Sequence, residues 1–331
     1  MPMKFKAMQV TQPEKKVFVR SIVSRTLDEL PAGDLLVKVR YSSLNFKDAL
    51  SAVGNPGVTR EFPHTPGIDA AGEVISCADG AFAPGDEVIV TSYDLGMETD
   101  GGFGQLIRVP SSWAVTLPKG MSLKESMMYG TAGFTAALSV LRLTEYGVTP
   151  DMGEVLVSGA TGGVGSIAVS ILAKLGYKVA AVNGIVDEAG YLRDIGAERV
   201  ISIDEAADTS GRPMLKVQWA GCIDTVGGDI LSTSIRSTAP GGGVTSCGNA
   251  ASPELPITVF PFILRGVTLM GIDSQNCPMP LRQRAWDKIA TEWKIPWMEK
   301  ITSEAPLEEV SDRIDAMLKG VHKGRTVVKL W

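Results

Sequence analysis

The sequence predicts an α/β protein in two parts: a mostly β part, and a doubly wound parallel sheet covered by helices on both faces. Short runs of alternating or β-branched residues fill the first third of the chain. From about residue 150, apolar strands alternate with helical segments, which is typical of a parallel sheet. The length of 331 residues also suits about two domains of roughly 150 residues each.

The mostly β part is predicted from short strands separated by Pro, Gly and Asp. These strands lie at residues 17–22, 35–41, 69–75, 87–91 and 105–109. Helical spacing of the apolar residues begins at residue 122 and covers 122–128 and 133–146. We therefore place the end of the first domain at residue 122.

The second part is predicted to alternate strands and helices. Strands are expected at 155–158, 178–182, 200–203, 222–225, 243–247 and 267–271, and helices at 163–175, 188–195 and 230–238. Helices at 280–293 and 307–319 and a strand at 325–330 follow. The expected domains are residues 1–122 and 123–275, with 276–331 returning to complete the first.

Composition excludes several classes of function. With 32 basic and 37 acidic residues, the chain has no overall positive field to attract nucleic acid. No window approaches the ~18 uninterrupted apolar residues of a membrane span, and the first ten residues contain no apolar stretch of signal-peptide length. The four cysteines lie far apart, without the spacing of a zinc ribbon or a disulfide framework. We expect a cytoplasmic protein without nucleic-acid or membrane partners.

A glycine-rich turn is the best local signal for a ligand. Residues 155–168 read VLVSGATGGVGSIA, an apolar strand that enters a glycine turn and opens into a helix. Glycines let the main chain approach a pyrophosphate, and the amides at the helix start favour its charge. The alternative is that the glycines serve only helix-on-strand packing. The sequence predicts a dinucleotide site at Ser158, Ala160, Thr161, Gly162, Gly163, Val164 and Gly165.

The end of the second strand of this part favours NADP over NAD. An acidic residue there bonds the ribose of NAD and repels the 2'-phosphate of NADP. This chain has Asn183, Gly184 and Ile185 at that place, with no acid before Asp187. The nearest arginines are Arg193 and Arg199; we assign Arg199 to the cofactor site, although ordinary surface charge is an equally good interpretation.

Several motifs in order resemble one protein family. They are residues 43–50 (SLNFKDAL), 62–69 (FPHTPGID), 130–136 (GTAGFTA) and the glycine turn. Together they resemble the medium-chain dehydrogenase/reductase superfamily, and within it the zinc-free quinone-oxidoreductase-like branch that includes bacterial NADPH-dependent acrylyl-CoA reductases. The resemblance covers essentially the whole chain. It implies a Rossmann nucleotide domain plus a GroES-like catalytic domain.

The resemblance also implies a metal-free reaction. Zinc-dependent members ligate the metal through a cysteine and through the histidine of a Gly-His-Glu segment, and the matching places hold Asn45 and Gly67-Ile68-Asp69. Isoleucine cannot coordinate zinc. What remains is hydride transfer to a carbon–carbon double bond conjugated to a carbonyl, which forms an enolate that needs hydrogen-bond donors and a proton.

The predicted catalytic residues are Asn45, Phe46, Lys47 and Asp48, because the family brings this loop beside the nicotinamide. Asn45 would donate through its amide, and Lys47 and Asp48 would position each other or the substrate. The alternative for Asp48 is a cap of a helix that begins at Ala49. Relatives usually carry tyrosine where this chain has Phe46, so a phenolic proton donor is missing there. We expect that Tyr93 or water protonates the enolate instead, or that the activity is weak or directed at a different acceptor. Phe46 could still stack on the nicotinamide.

Further cofactor residues are implied by the resemblance alone: Thr131, Asn249, Ile263, Ser274 and Gly320. Ile263 and Gly320 have packing or a turn as the alternative. The predicted function is NADPH-dependent reduction of a short enoyl thioester such as acrylyl-CoA. Quinones and small enals compete as acceptors, and a nucleotide-binding protein with little turnover or a zinc-free alcohol or sugar dehydrogenase remain alternatives. The apolar edge strand at 267–271 predicts a homodimer.

Overall fold

The computed structural model describes residues 4–184 and 188–331, and the chain forms two compact units. Unit 1 comprises Met1–Thr131, Gln275–Pro278 and Met298–Trp331, and unit 2 comprises Ala132–Ser274 and Met279–Trp297. These units differ from the predicted domains, since residues 123–131 lie in unit 1 and residues 279–297 lie in unit 2. Composition and periodicity change at residue 122, but the chain leaves unit 1 nine residues later, after a break in a helix at Gly130.

Fifteen strands are found in the described residues. In chain order, β1 to β15 are Lys4–Glu14, Val17–Thr26, Leu35–Ser43, Asp69–Cys77, Glu87–Thr91, Leu106–Val109, Ala114–Thr116, Val155–Val157, Val179–Asn183, Arg199–Ser202, Trp219–Asp224, Thr238–Ser246, Thr268–Gly271, Thr302–Pro306 and Arg325–Lys329.

Nine α-helices accompany them within the same ranges. In chain order, α1 to α9 are Phe46–Ala52, Leu123–Tyr146, Gly163–Lys174, Ala189–Asp194, Ile203–Ala206, Gly228–Ser237, Phe260–Arg265, Met279–Ala290 and Val310–Leu318. None of the described helices is long and apolar enough to cross a membrane.

Unit 1 is built on a seven-stranded sheet. Its order is β14-β15-β3-β4-β5-β7, with β6 also pairing with β3, and β1 and β2 form a separate antiparallel pair. The inward residues of β3, such as Val37 and Val39, are fully buried and pack in one apolar core with Leu44, Val310 and Ile314. Burial of side chains of this size stabilises the fold by about 1.5–3 kcal/mol each. That core holds the start of α1 against the sheet.

Unit 2 is a parallel sheet of six strands in the order β10-β9-β8-β11-β12-β13. The order reverses between β8 and β11, and ligands of such sheets bind at the carboxyl ends of the strands beside that point. The residues of β8, Val155, Leu156 and Val157, are all buried, as expected for a central strand covered on both faces. The predicted α/β fold class is confirmed.

The sequence interpretation missed some elements. β1 is 11 residues long, although its sequence was assigned to no element. α1 begins at Phe46 rather than Ala49, because Asn45 is the extended residue that precedes the first helical turn. The predicted strand at residues 178–182 corresponds to β9 and is displaced by one residue.

Candidate functional site

A buried carboxylate organises the part of unit 1 where the catalytic residues were predicted. Asp69 accepts hydrogen bonds from Ser43 Oγ at 2.5 Å and from Asn45 Nδ2 at 2.7 Å. Thr131 donates its hydroxyl at 2.6 Å and its backbone N–H at 2.9 Å. Asp69 is fully buried, so these bonds replace the water that an ionised carboxylate requires. With Arg325, these residues form the Asp69 network.

Arg325 supplies the positive charge of the Asp69 network. Its Nη2 lies 4.0 Å from Asp69 Oδ2 and donates to Ser43 Oγ at 2.8 Å. Its Nε donates to the Met128 carbonyl at 3.0 Å, and its Nη1 donates to the Leu44 carbonyl at 3.2 Å. Such extensive hydrogen bonding is what makes a buried guanidinium tolerable. The network therefore fixes the chain around residues 43–45 from two sides.

The Asn45 amide is used within the protein. Its Nδ2 donates to Asp69 at 2.7 Å and to the Ser43 carbonyl at 3.3 Å, and its Oδ1 accepts from Arg325 Nη1 at 3.2 Å. An amide has two N–H donors and one carbonyl, so no donor is left for a substrate. In this structure Asn45 shapes the loop that carries Phe46 and Lys47, and its contact with an enolate stays a prediction.

Asp48 is also a structural group. Its Oδ2 accepts from the Asn45 backbone N–H at 2.7 Å and its Oδ1 from the Ile68 N–H at 2.8 Å. Asp48 therefore ties the first turn of α1 to the residue before β4, which agrees with the capping alternative but for a helix that starts at Phe46. Burial, together with the nearby Asp69 carboxylate, raises the pKa of Asp48 to about 7.

Lys47 and Phe46 are less buried than Asn45 and Asp48. Lys47 Nζ donates to Gln275 Oε1 at 2.7 Å. This hydrogen bond holds the ammonium group of Lys47 in a defined position. Phe46 is 44% exposed, although it is the first residue of a helix that otherwise packs on the core of unit 1. The loop therefore presents one cation and one aromatic ring at its surface.

Thr131 lies at the end of unit 1, next to a glycine that the Asp69 network requires. A Cβ at Gly130 would stand 2.4 Å from both Asp69 Oδ2 and Ser43 Oγ, and Gly130 has a φ of 52°. Only glycine fits this position. Because the Thr131 proton is directed at Asp69, its oxygen accepts from Ser92 Oγ at 3.0 Å.

Ser92 begins a pair of left-handed residues that sequence reasoning did not find. Ser92 has a φ of 65° and Tyr93 a φ of 51°, which is rare for residues other than glycine and is often associated with functional sites. The Tyr93 ring stacks on Trp113 with centroids 5.4 Å apart. Tyr93, one of the two proton donors considered from sequence, thus lies in a strained loop held by ring stacking.

The glycine turn of unit 2, residues 158–165, has the predicted form. β8 leads into the turn, and α3 begins at Gly163, so the amides of Gly163, Val164 and Gly165 are in the first helical turn, where no intrahelical acceptor exists. A Cβ at Gly165 would lie 2.3 Å from the Gly159 carbonyl oxygen, so the helix can approach the turn only with glycine there. The arrangement can bind a diphosphate.

Ser158 supports the turn from within. Its Oγ donates to Asp224 Oδ1 at 2.8 Å and accepts from the Thr225 N–H at 2.9 Å. Asp224 is fully buried at the end of β11, and its Oδ2 accepts the Gly227 N–H at 2.9 Å. The hydroxyl of Ser158 therefore joins two strand ends, and the assignment of Ser158 to the cofactor site stays a prediction. Burial raises the pKa of Asp224 above its ordinary value.

A groove of about 450 Å³ lies beside the carboxyl ends of β9 and β10. Its lining includes Asn183, Gly184, Arg193, Ser202 and Asp204. Arg193 forms no ion pair with the residues described by the structure, and it is the only arginine in this lining. We name this feature the Arg193 groove. It brings together the neutral end of β9 and a positive charge, with the Asp204 carboxylate as an opposing charge.

Arg199 does not line the Arg193 groove, and its assignment to the cofactor site stays a prediction. It is the first residue of β10, at the amino end of the strand, whereas the Arg193 groove is at the carboxyl end. Its guanidinium pairs with Glu154 at 2.8 Å and lies 4.8 Å from the centroid of the Trp219 ring. The sequence did not show which of the two arginines lies beside the end of β9. The direction of β10 distinguishes them, because Arg199 is at the amino end of that strand.

The remaining predicted cofactor residues are scattered. Asn249 is exposed beyond the carboxyl end of β12, Ser274 is half-buried after β13, and Gly320 follows α9 in unit 1 with a φ of 72°. Ile263 is 67% exposed on α7, two residues before Arg265, whose guanidinium binds the Arg236 and Thr238 carbonyls at the amino end of β12. Ile185 lies outside the described residues.

The donor atoms at the places of the family's zinc ligands do not suit zinc. The Asn45 amide is engaged in the Asp69 network, and Ile68 is an apolar side chain that is 3% exposed. Across residues 4–184 and 188–331, no group of three or more His, Cys, Asp or Glu could hold a metal ion. Asn45, at one of these places, belongs to the buried Asp69 network.

Comparisons with known proteins agree with this architecture. A family model described as "Alcohol dehydrogenase GroES-like domain" matches residues 31–119, and one described as "Zinc-binding dehydrogenase" matches residues 163–291. The chain is 46% identical over 325 residues to "Putative quinone oxidoreductase YhfP" of Bacillus subtilis, covering 97% of this chain and 98% of the relative. It is 42% identical over 325 residues to "Acrylyl-CoA reductase AcuI" of Ruegeria pomeroyi, covering 98% of each.

Solved structures give the same relation. The yhdH oxidoreductase from Salmonella enterica, solved in complex with NADP, matches with a TM-score of 0.96 at 42% identity, over 99% of this chain and 100% of that one. The B. subtilis protein yhfP, solved with NAD bound, matches with a TM-score of 0.96 at 44% identity, over 99% and 100%. The fold and the matches define an oxidoreductase of the GroES-like plus Rossmann class. The chain belongs to the medium-chain dehydrogenase/reductase superfamily, which confirms the resemblance seen in the sequence.

Proposed function

We propose that this chain is an NADPH-dependent, metal-free reductase of an activated carbon–carbon double bond, with a short enoyl thioester such as acrylyl-CoA as its acceptor. The observation that carries the proposal is the presence, in one chain, of a glycine turn suited to a diphosphate and of Asn45 and Ile68 at the places of the family's zinc ligands. Two relatives of similar length point the same way, since one is an acrylyl-CoA reductase and one was solved with NADP.

NADPH is the proposed cofactor because of the Arg193 groove. β9 ends on the neutral Asn183, and Arg193 lines the same groove, so a 2'-phosphate would meet a positive charge there. Asp204 opposes this charge, and a relative was solved with NAD, so the preference is one of degree. The amides of residues 163–165 are proposed to bind the diphosphate.

When bound, the reduced nicotinamide supplies a hydride to the β-carbon of the acceptor. As the hydride adds, the electron pair of the carbon–carbon double bond shifts between the α-carbon and the carbonyl carbon, and the carbonyl pair moves to the thioester oxygen. Protonation of this enolate at the α-carbon restores the carbonyl, so that one hydride and one proton are added in all. We assign Lys47 to the developing negative charge, because the hydrogen bonds of Asn45 and Asp48 are used inside unit 1. The Asp69 network holds Thr131, and Phe46 offers an apolar surface for a ring.

A turnover assay tests this proposal. NADPH oxidation would be followed with acrylyl-CoA, crotonyl-CoA, 1,4-benzoquinone and acrolein, and the highest kcat/KM is expected with acrylyl-CoA. Lys47→Met should lower kcat more than it raises KM, because the charge it stabilises develops in the transition state. Lys47→Arg, which keeps the charge, is the matched control. Binding of NADPH without turnover of any acceptor would instead support a nucleotide-binding protein.

Quinone reduction is the second candidate, and Phe46 favours it. A quinone takes its proton on oxygen, where water exchanges rapidly, so the loss of a tyrosine hydroxyl would cost a quinone reductase less than an enoyl reductase. The similarity to YhfP fits this alternative. A higher kcat/KM with benzoquinone than with acrylyl-CoA would establish it.

A homodimer in the cytoplasm is also proposed. β13 pairs only with β12 among the described strands, and Val259, Ile263 and Leu264 are exposed apolar residues around α7, which precedes it. A second copy would cover both. Light scattering should give twice the 35.1 kDa chain mass, and Leu264→Glu should reduce the mass to that of one chain.

The four cysteines are all free thiols, which suits a reducing compartment such as the cytoplasm.

A further inference from the structure

A small cavity in unit 1 is separate from every residue assigned above. Its volume is about 210 Å³, and its lining includes Pro31, Glu61, His64, Met97, Glu98 and Asp100. We name it the His64 cavity. None of these residues belongs to the Asp69 network, the catalytic loop or a nucleotide site.

His64 provides an acceptor without a donor. The residue is 5% exposed, and its Nε2 is a buried atom without a hydrogen-bond partner. The Gly96 backbone acts on the ring as a hydrogen-bond acceptor that raises the pKa of His64 against the larger effect of burial, and since Nε2 has no partner we assign this interaction to Nδ1. A carbonyl only accepts, so Nδ1 carries the proton. Burial lowers the pKa of His64, which keeps the ring neutral and leaves a lone pair on Nε2.

The charges of the residues that line the His64 cavity determine which ligands it can bind. Arg25 neutralises Asp100 at 2.7 Å, but Glu61 and Glu98 have no ion-pair partner within residues 4–184 and 188–331. A ligand that satisfies His64 must bring an N–H or O–H donor, and a ligand that suits two carboxylates must be cationic. The described residues include no set of donors that could hold a metal ion.

We propose that the His64 cavity binds a primary alkylammonium group. An ammonium has three donors, one for His64 Nε2 and two for the carboxylates. Pro31 and Met97 offer apolar surface to the attached methylene groups. The group comes either from a free diamine or from a lysine side chain of another protein; the chemistry is the same, and the experiment separates these sources.

Imidazole nitrogen NMR of the full chain tests this proposal. The chain has two histidines, so His322→Gln leaves His64 as the only imidazole signal. Putrescine should shift the Nε2 resonance in a saturable way, and 1,4-butanediol, which has the same length without charge, should not. A shift with Nα-acetyl-lysine methylamide as large as that with putrescine assigns the site to a lysine side chain. A shift with putrescine alone assigns it to a free amine.

Two variants make the test decisive. Glu61→Gln combined with Glu98→Gln should weaken putrescine binding by at least about tenfold, because two charge-assisted hydrogen bonds are lost. Glu87→Gln, the same type of substitution at an exposed position on β5, should leave it unchanged. Both positions are exposed, so NADPH binding by the double variant verifies its fold. Absence of a His64 shift up to about 10 mM putrescine, or equal affinity in the double variant, overturns the proposal.

Discussion

Replacing Arg193 with glutamine should change cofactor preference without changing the fold. The side chain is exposed in the Arg193 groove and forms no ion pair with the described residues, so the main loss is attraction to a 2'-phosphate. Two unit charges about 4 Å apart interact by about 1 kcal/mol in water and about 4 kcal/mol at a protein surface of lower dielectric. The groove is open to solvent and contains Asp204, so we take about 1–2 kcal/mol. NADPH should then bind roughly five- to thirtyfold more weakly.

The assay is a fluorescence titration of each variant with NADPH and with NADH. NADH has no 2'-phosphate, so its dissociation constant should stay the same in Arg193→Gln. Arg199→Gln is the matched control, because Arg199 is held by Glu154 at the opposite end of β10. The reasoning is refuted if Arg193→Gln leaves the NADPH/NADH ratio unchanged, or if Arg199→Gln weakens NADPH as much.

Three further predictions concern the catalytic loop and the glycine turn. Phe46→Tyr should raise turnover with acrylyl-CoA by restoring a phenolic proton donor; an unchanged or lower kcat would contradict a protonation defect. Gly165→Ala should abolish NADPH binding, since the new Cβ would lie 2.3 Å from the Gly159 oxygen, whereas Gly190→Ala, with nothing within 4 Å, should bind normally. Asp48→Asn should remove a pH-dependent part of the free energy of unfolding. Because the pKa of Asp48 is raised to about 7, its contribution to stability is full below about pH 4 and is lost as the pH rises through 7, by up to about 4 kcal/mol. His322, whose pKa is lowered to about 4, has the opposite effect in the wild type and in the variant alike, so equal slopes of unfolding free energy against pH in the two proteins would be evidence against this role of Asp48.

Much of the architecture was predictable because its signals are local. The apolar strand before Gly159 and the helix after Gly163 identify the glycine turn, and alternation of strands and helices identifies the parallel sheet. The length of β1 was not predictable from such local signals. Polar residues obscure its apolar alternation, and its pairing with β2 becomes visible only in the structure.

The polar interior of unit 1 was not predictable, because its partners are far apart in sequence. Asp69 meets Thr131 62 positions away, and Arg325 reaches Ser43 over 282 positions. Only their setting gave a hint: Asp69 lies at the start of one strand, within the 62–69 motif, and Arg325 lies at the start of another strand. The engagement of the Asn45 amide was not predictable for the same reason, because its partners Asp69 and Arg325 are distant in the sequence.

Deuterium transfer tests the central claim most directly. The protein would be incubated with acrylyl-CoA and NADPH that carries deuterium at both C4 positions of the nicotinamide, and the thioester product analysed by mass spectrometry and NMR. The account predicts propionyl-CoA with one deuterium on the β-carbon, formed equally well after exhaustive treatment with a chelator. Recovery of unreacted acrylyl-CoA, or activity that disappears with the chelator and returns with zinc, would contradict it.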